Sequence, residues 1–555
     1  MKSIKLLSVL LLFFSLINDV NAQSPNCLWA NFAGGIGQDQ ANAIATDANG
    51  NVIVTGGFTS PSFLIGTTTL TSAGYEDLFI VKYDSLGNVL WANSAGGVDL
   101  DEGIDITTDN SGNILLTGIF FGPTISFGTT TLTSAATGSA DIFIVKYDPM
   151  GNVIWAKSAG GTGYDQAQSI STDNLGNVVI AGFFKSPTIT FGTATFNNSG
   201  EFDMFVAKYD PFGNLLWAHS AGGSFDEHGM GVTCDPNGNI IVAGTYISPS
   251  LTFGTAILTN NGGRDLFVVK YDPIGNVLWT KSEGGTNEET CDGIASDANG
   301  NVLLTGYFQG TSITFGTITL NSLGGPDIYV VKYDDLGNVL WAHSAVGTSV
   351  DFSIDINVDL SGSVIITGYY FSDSLSFGHI SLINASVGIN PDIFVAKYDA
   401  SGNVIMAASF GGAYEERGLG VCTDFNGNIL MTGSFTSTVL TFGTCDLSNA
   451  LVGGTDFYVV KIQEWLTGLP EVSNQEYFYL YPNPFSEKLI IQLTTPLNKA
   501  TLTVINQLGQ VVNVIHNLSG TSLTISRENI ESGLYMFQLS EGTEKMITGK
   551  LIIAD

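Results

Sequence analysis

Seven carboxylates recur at one position of this chain: Asp39, Asp101, Asp165, Glu227, Glu289, Asp351 and Glu416. Each stands eight residues before a second acidic column, Asp47, Asp109, Asp173, Asp235, Asp297, Asp359 and Asp424. Seven lysines recur with them: Lys82, Lys146, Lys208, Lys270, Lys332, Lys397 and Lys461. A ring of carboxylates is chemistry for a cation or for the hydroxyls of a polar ligand such as a glycan. It is also structural chemistry, because a carboxylate can cap backbone N–H groups or pair with a lysine. Lysine is scarce in the repeats, yet one sits among apolar residues in every unit, as in Phe205-Val206-Ala207-Lys208-Tyr209. A buried lysine needs a partner. The structural reading of the acidic ring is therefore the stronger, and which acidic column meets the lysines stays open.

Other chemistry finds less support. The Asp-x-x-Gly-Asn turns resemble calcium loops but lack the following bidentate Glu. As hairpin turns they are fully explained, so we assign no metal or other cofactor. None of the five histidines, His219, His228, His343, His379 and His516, belongs to a column that runs through the repeats, or to a nucleophile or metal motif. Acids are plentiful enough for a glycosidase pair, but nothing singles out two of them. No catalytic residue is assigned. The Trp column, Trp29, Trp91, Trp155, Trp217, Trp279 and Trp341, has Met406 in its seventh place and reads as packing between repeats rather than as a sugar platform.

The elements that position these columns follow from the repeat. The Trp spacings are 62, 64, 62, 62 and 62 residues. One unit reads as four strands: A ending at the Asp column (169–173), B (177–184), a long excursion (186–202), C (203–210) and D (214–221). Asp148-Pro149-Met150-Gly151 is a type I turn joining C to D. The Phe-Gly-Thr motif in the excursion predicts an extra hairpin whose Phe packs on its blade. Four antiparallel strands repeated radially make a propeller blade, which leaves only short protected edges. The repeats begin with a lone strand D (27–35) and end with A, B and C (to 463), so the N-terminal strand should complete the seventh blade. Strand A is innermost in a propeller, which places the acidic column near the mouth of the central channel. The D–A loops and B–C excursions open on that same face, the better candidate for binding. The other face carries only tight turns.

Composition bounds the setting. The 555 residues carry a net charge of −32, which argues against nucleic acid and against an anionic membrane surface. Residues 1–22 read as a signal peptide: Lys2 and Lys5, an apolar core from Leu6 to Ile17, then Val20-Asn21-Ala22 for cleavage. The apolar run is short of the ~20 residues a membrane span needs. No transmembrane segment is expected after cleavage. Cys27, Cys234, Cys291, Cys422 and Cys445 do not recur between repeats and suggest at most one or two disulfides.

The recurring D-x-x-G-N-V turns, F-V-x-K-Y-D strands and W-A-x-S-x-G-G strands resemble the SBBP type of β-propeller repeat, over residues 27–462. That resemblance implies a propeller in a secreted or surface protein and no particular activity. After a linker at 464–476 the pattern changes to about seven alternating strands of a small β-sandwich, residues 477–555. Tyr481-Pro482-Asn483-Pro484-Phe485, Leu508-Gly509-Gln510 and Ser532-Gly533-Leu534-Tyr535 are similar to the type A C-terminal sorting domain of the Bacteroidetes type IX secretion system. This implies export through the periplasm and across the outer membrane, with that machinery as partner. The resulting expectation is an all-β, seven-bladed propeller (23–463) that binds an extracellular protein or glycan without catalysis. A secreted hydrolase or lyase acting on polysaccharide is the alternative, and a purely structural surface-layer component a third.

Overall fold

The computed structural model describes residues 25–386, 389–449, 454–463, 478–481, 485–506, 511–527, 530–541 and 545–554. The expected signal peptide, the linker, and Pro482, Asn483, Pro484, Leu508, Gly509 and Gln510 lie outside these residues. The regular elements among the described residues are all strands. They form two compact units, one up to residue 465 and one from residue 466.

The first unit is a ring of seven sheets. In blade 3, strand A is Asp165–Thr172, B is Val178–Phe184, C is Asp203–Tyr209 and D is Leu215–Ala221, hydrogen-bonded in the order A–B–C–D. The seventh sheet takes A, B and C from Glu416–Thr423, Ile429–Phe435 and Asp456–Ile462. Its outer strand is Cys27–Ala33, paired antiparallel to strand C. Strands B and C are buried on both faces because each blade lies between two others. Val206 of blade 3, for example, shares a core with Val232, Val242 and Phe267 of blade 4. The A strands surround an axial channel of about 490 Å³ lined from all seven blades. Threonines at their ends are linked in series: Thr172 Oγ1 donates to Thr108 O (3.0 Å), Thr108 Oγ1 to Thr46 O (2.8 Å), and Thr46 Oγ1 to Thr423 O across the closure (3.1 Å).

Strand A is longer than its pattern suggests. It starts at the acidic residue itself, Asp165, and not near 169. A bulge between Ala167 and Ser169 switches the inward and outward phase, so the alternation breaks midway along the strand. The excursion does form a hairpin, Thr188–Phe191 with Ala194–Asn197 in blade 3, and Phe191 is buried in the core. In blade 6 the equivalent hairpin adds to strand D of the preceding blade through Ala345 and Phe377. The turn face also carries exposed apolar side chains, among them Met150, Phe212 and Ile274.

The lysine column finds its partner in the A–B turn. All seven Nζ atoms lie 2.8–2.9 Å from the turn aspartate of their own blade: Lys82–Asp47, Lys146–Asp109, Lys208–Asp173, Lys270–Asp235, Lys332–Asp297, Lys397–Asp359 and Lys461–Asp424. Each aspartate is already held by its turn. Asp173 Oδ1 accepts from the amides of Leu175 (2.9 Å) and Asn177 (3.0 Å), and Oδ2 from Asn177 Nδ2 (2.8 Å). The oxygens that resemble a calcium loop are thus filled by N–H donors. Lysine and tryptophan then act together between blades. Lys208 Nζ (3.2 Å) and Trp217 Nε1 (3.1 Å) both donate to Pro273 O in the C–D turn of the next blade. This explains Met406. The next blade there is the seventh, whose strand D comes from the N-terminal segment, so it has no C–D turn to receive an indole N–H. Met406 is buried in the core beside Cys27. Cys27 is bridged to Cys445, while Cys234, Cys291 and Cys422 are free thiols.

Among the described residues the second unit has five strands, where about seven were expected: Phe478–Tyr481, Lys488–Ile505, Val511–Ser526, Gly533–Glu541 and Lys545–Ile553. What reads as pairs of short strands is two long strands bent by successive register shifts between Gln492 and Leu502. Lys499 (φ 57°) and Asn517 (φ 61°) are left-handed at this bend. The bend folds the sheet over one core, which takes Leu489 and Ile491 from before it, Leu502 from after it, and Phe537 and Leu551 from the last two strands.

Candidate functional site

The acidic column turns into the blades and does not line the channel. All seven carboxylates are 0–1% exposed. Asp165 accepts from Ser186 N (3.0 Å), Ser186 Oγ (2.5 Å) and Lys185 N (3.1 Å) at the start of the excursion. Glu227 accepts from Gly223 N (2.6 Å) and Ser248 N (3.1 Å), and Glu416 from Gly412 N (2.8 Å) and Ser437 N (3.2 Å). Asp351 accepts from Ser372 N and Oγ, Asp39 from Gly35 N and Ser60, Asp101 from Gly97 N and Glu289 from Gly285 N. These bonds tie the D–A turn to the excursion. The expected position at the channel mouth is corrected accordingly: the register puts this residue on the inward phase of the blade, and its neighbour on the channel side.

A further acidic column, unremarked in the sequence, opens strand C: Asp77, Asp141, Asp203, Asp265, Asp327, Asp392 and Asp456. It meets the first column between blades. The amide of each strand-A acid donates to the residue just before the strand-C acid of the preceding blade, as in Asp165 N to Ala140 O (2.9 Å) and Asp39 N to Thr455 O (2.8 Å). Burial, opposed by backbone donors and aided by the facing carboxylates, pushes several of these groups up: Asp101 to about 8, Glu289 and Glu416 to about 7, Asp141, Asp265, Asp351, Asp392 and Asp456 to about 6.

A pH dependence follows from these directions. The raised carboxyls hold more protons folded than unfolded, so stability falls as pH rises from ~4 to ~8. The turn aspartates are opposite. Burial raises Asp173, but Asn177 and Lys208 outweigh it and leave it below its ordinary value. Their contribution is present above ~4 and is lost as pH falls through the folded-state value. Without divalent cations the melting temperature should therefore be highest near pH ~5 and lower at ~8. A melting temperature that climbs steadily from ~5 to ~8 in a thermal scan would contradict this balance.

The channel mouth is where the blades cease to be alike. The residue after the acidic column is Gln40, Glu102, Gln166, His228, Thr290, Phe352 and Arg417 in turn, and all seven are half-buried. Variation at one position beside an invariant acid was the available sequence signal for this site. On one side the mouth is acidic. A cavity of about 330 Å³ is lined there by Gln38, Gln40, Glu76, Glu102, Glu415 and Arg417. Asn42 Nδ2 donates to Glu102 Oε1 (2.8 Å). Burial and the charges of Glu102 and Asp39 push Glu76 up to about 7. On the other side the mouth is aromatic. Tyr164 stacks on Phe183 (6.3 Å, 11°), Phe183 lies 4.2 Å from the His228 ring, and Phe352 sits between Tyr307 (4.9 Å) and Tyr369 (5.3 Å). Arg417 lies over the Tyr369 ring at 5.1 Å. Burial, with Arg264 nearby, pushes His228 down to about 4, which keeps it neutral.

Residues 479–554 match the secretion system C-terminal sorting domain. The C-terminal unit is a type IX sorting domain. The sorting domain sends the chain through type IX secretion to the cell surface or beyond, so the propeller it follows is a secreted surface propeller. Over 543 aligned residues, 80% of this chain, the sequence is 25% identical to an uncharacterized WD repeat-containing protein of Acanthamoeba polyphaga mimivirus. The chain spans only 39% of that relative's length. Among solved structures it is similar to PorZ, a surface component of the type-IX secretion system of Porphyromonas gingivalis, with TM-score 0.27 and 12% identity over 93% of this chain and 81% of that one. It is also similar to Sqt1 from Chaetomium thermophilum, with TM-score 0.37 and 9% identity over 79% of this chain and 99% of that one. Among the described residues no helix is long and apolar enough to cross a membrane.

Proposed function

We propose that the propeller, carried outside the cell by its sorting domain, binds a glycan or protein at the channel mouth on its loop-rich face without converting it. One observation carries this reading: the departures from sevenfold repetition gather at the mouth, as an acidic wall facing an aromatic one. Aromatic faces stack on the apolar faces of sugars or on peptide side chains, and the carboxylates and amides accept hydroxyl and N–H donors. The secreted chain should bind a neutral glycan or an extracellular protein on an array. Phe183→Ala and Glu102→Gln should each weaken that binding about tenfold or more, a ~1.4 kcal/mol step for each factor of ten. Unchanged affinity in both variants would place the binding surface elsewhere.

Glu76 supports a second reading. A carboxyl raised to about 7 next to another carboxylate is the pattern of a glycosidase acid and its partner. In that case bound glycan is cut, and Glu76→Gln abolishes cutting while binding persists. Intact glycans after prolonged incubation with the unmodified chain remove this reading and leave the first.

A further inference from the structure

A second cavity lies beside the channel mouth, at the junction of blades 1 and 2. It measures about 330 Å³ and is lined by Tyr75, Asp99, Leu100, Phe121, Gly122 and Gly138. A ridge divides it from the acidic cavity of the mouth. Glu76 and Glu102 line the inner cavity, while Tyr75 and Leu100, close to them in the chain, line the outer one. The two segments run side by side along this ridge: Glu76 and Leu100 form a parallel bridge, and Asp101 N donates to Glu76 O (2.8 Å). Phe121 joins the outer cavity to the aromatic wall, its ring 5.9 Å from that of Tyr164. The outer cavity therefore lies where the acidic and aromatic walls meet. Tyr75 is 72% exposed and stands over it in solvent. Gly122 and Gly138 are both left-handed, at φ +82° and +81°, and a Cβ on Gly138 would meet nothing within 4 Å. Glycine at these two positions leaves that side of the cavity free of side chains.

We propose that an unbranched, β-linked glycan without acidic groups crosses this ridge, with one end in the acidic cavity and further units against Tyr75 and Phe121. The proposal rests on the mouth being a binding site and names the class of its ligand. Each cavity is at the small end of the range for ligand sites, so a ligand that fills both is a chain. Equatorial linkages make such a chain a ribbon. Its apolar C–H faces suit the rings, and its hydroxyl edges suit Glu76, Glu102 and Gln40. Charge disfavours acidic polysaccharides. Glu76, Glu102 and Asp99 lie along the path, and Arg417, the cation in the two linings, is already paired with Glu415. An extended peptide fits less well, because it binds through backbone hydrogen bonds to a free edge. The backbone along the ridge is bonded to itself: Asp101 N to Glu76 O and Phe121 N to Leu100 O, both at 2.8 Å.

The test is calorimetric titration of the full secreted chain with β-1,3- and β-1,4-linked glucan oligosaccharides of two and six units. An oligogalacturonate serves as the acidic control. The six-unit form of one linkage should bind about tenfold tighter than its two-unit form or better, and the oligogalacturonate should not bind. Tyr75→Ala, at an exposed position that the core does not need, should weaken the six-unit ligand about tenfold and leave the two-unit ligand unchanged. Phe183→Ala should weaken both lengths. If Phe183→Ala weakens the six-unit ligand and Tyr75→Ala does not, the crossing is overturned and the mouth remains. If neither glucan binds, or the oligogalacturonate binds as tightly, the ligand class is overturned. If a glucan binds and neither Phe183→Ala nor Glu102→Gln alters it, the mouth itself is not the site.

Discussion

A chain lacking residues 25–33 is expected to lose most of the stability of its propeller. Those residues supply strand D of the seventh blade, with Trp29 opposite Lys461 and Ala33 opposite Phe457. They also reach into blade 1: Trp29 Nε1 donates to Ser85 O (3.2 Å) and Asn31 Nδ2 to Gly87 O (2.8 Å). Their removal bares the edge of strand C and leaves apolar core residues beside Met406 and Leu447 facing water. It also removes the disulfide between Cys27 and Cys445, which are 418 residues apart. A bridge closing so long a loop sits near the ~5 kcal/mol top of the usual range, against a total of ~5–15 for a folded domain. Cys445→Ser isolates the disulfide part. It should lower the unfolding free energy obtained from urea titration by most of that amount, with a lower midpoint, and reductant should do the same to the unmodified chain. Equal midpoints in all three samples would mean that the ring is held shut elsewhere.

The second large effect lies in the lysine–aspartate pairs. Lys208→Met removes the partner of Asp173, whose side chain is only 3% exposed. Breaking one side of a buried pair leaves an uncompensated charge and costs ~3–5 kcal/mol, where an exposed pair would cost at most ~1. Asp173→Asn should cost a similar amount, since its amide nitrogen would then face Lys208 Nζ. The double variant should be much less destabilised than the sum, because neither charge is left alone. Denaturant midpoints for the four proteins give the coupling energy. A neutral Lys208→Met would show that the pair contributes nothing and that the recurrence of this lysine has another cause.

The Lys208 pair also shows where sequence reading stopped. Both columns were visible, yet the pairing was not. Lys208 reaches Asp173 because register sets it opposite Val179 on strand B. That register depends on an excursion of variable length between B and C, so no fixed spacing encodes it. The acidic column was misplaced for a related reason. A bulge at Ala167 and Ser169 shifts the phase of strand A, turning Asp165 into the blade and Gln166 toward the mouth. In the C-terminal unit the register shifts that bend two long strands likewise appeared as strand ends.

Turns, by contrast, were legible. Asp148-Pro149-Met150-Gly151 closes through Gly151 N to Asp148 O (3.0 Å), with Gly151 left-handed at φ +85° and Asn152 bonded back to Asp148. All of those contacts lie within five consecutive residues, so the sequence determined them by itself. It also determined the repeat, its phase, and hence that the first strand belongs to the last blade. Only the tertiary structure decided which carboxylate faces which, as when Asp77 of one blade meets Asp101 of the next, and only it gathered Glu76, Glu102, Phe183 and Phe352 at one mouth. Those contacts cross between blades, and the stagger of one packed sheet on another sets them, not the hydrogen bonding of any contiguous stretch.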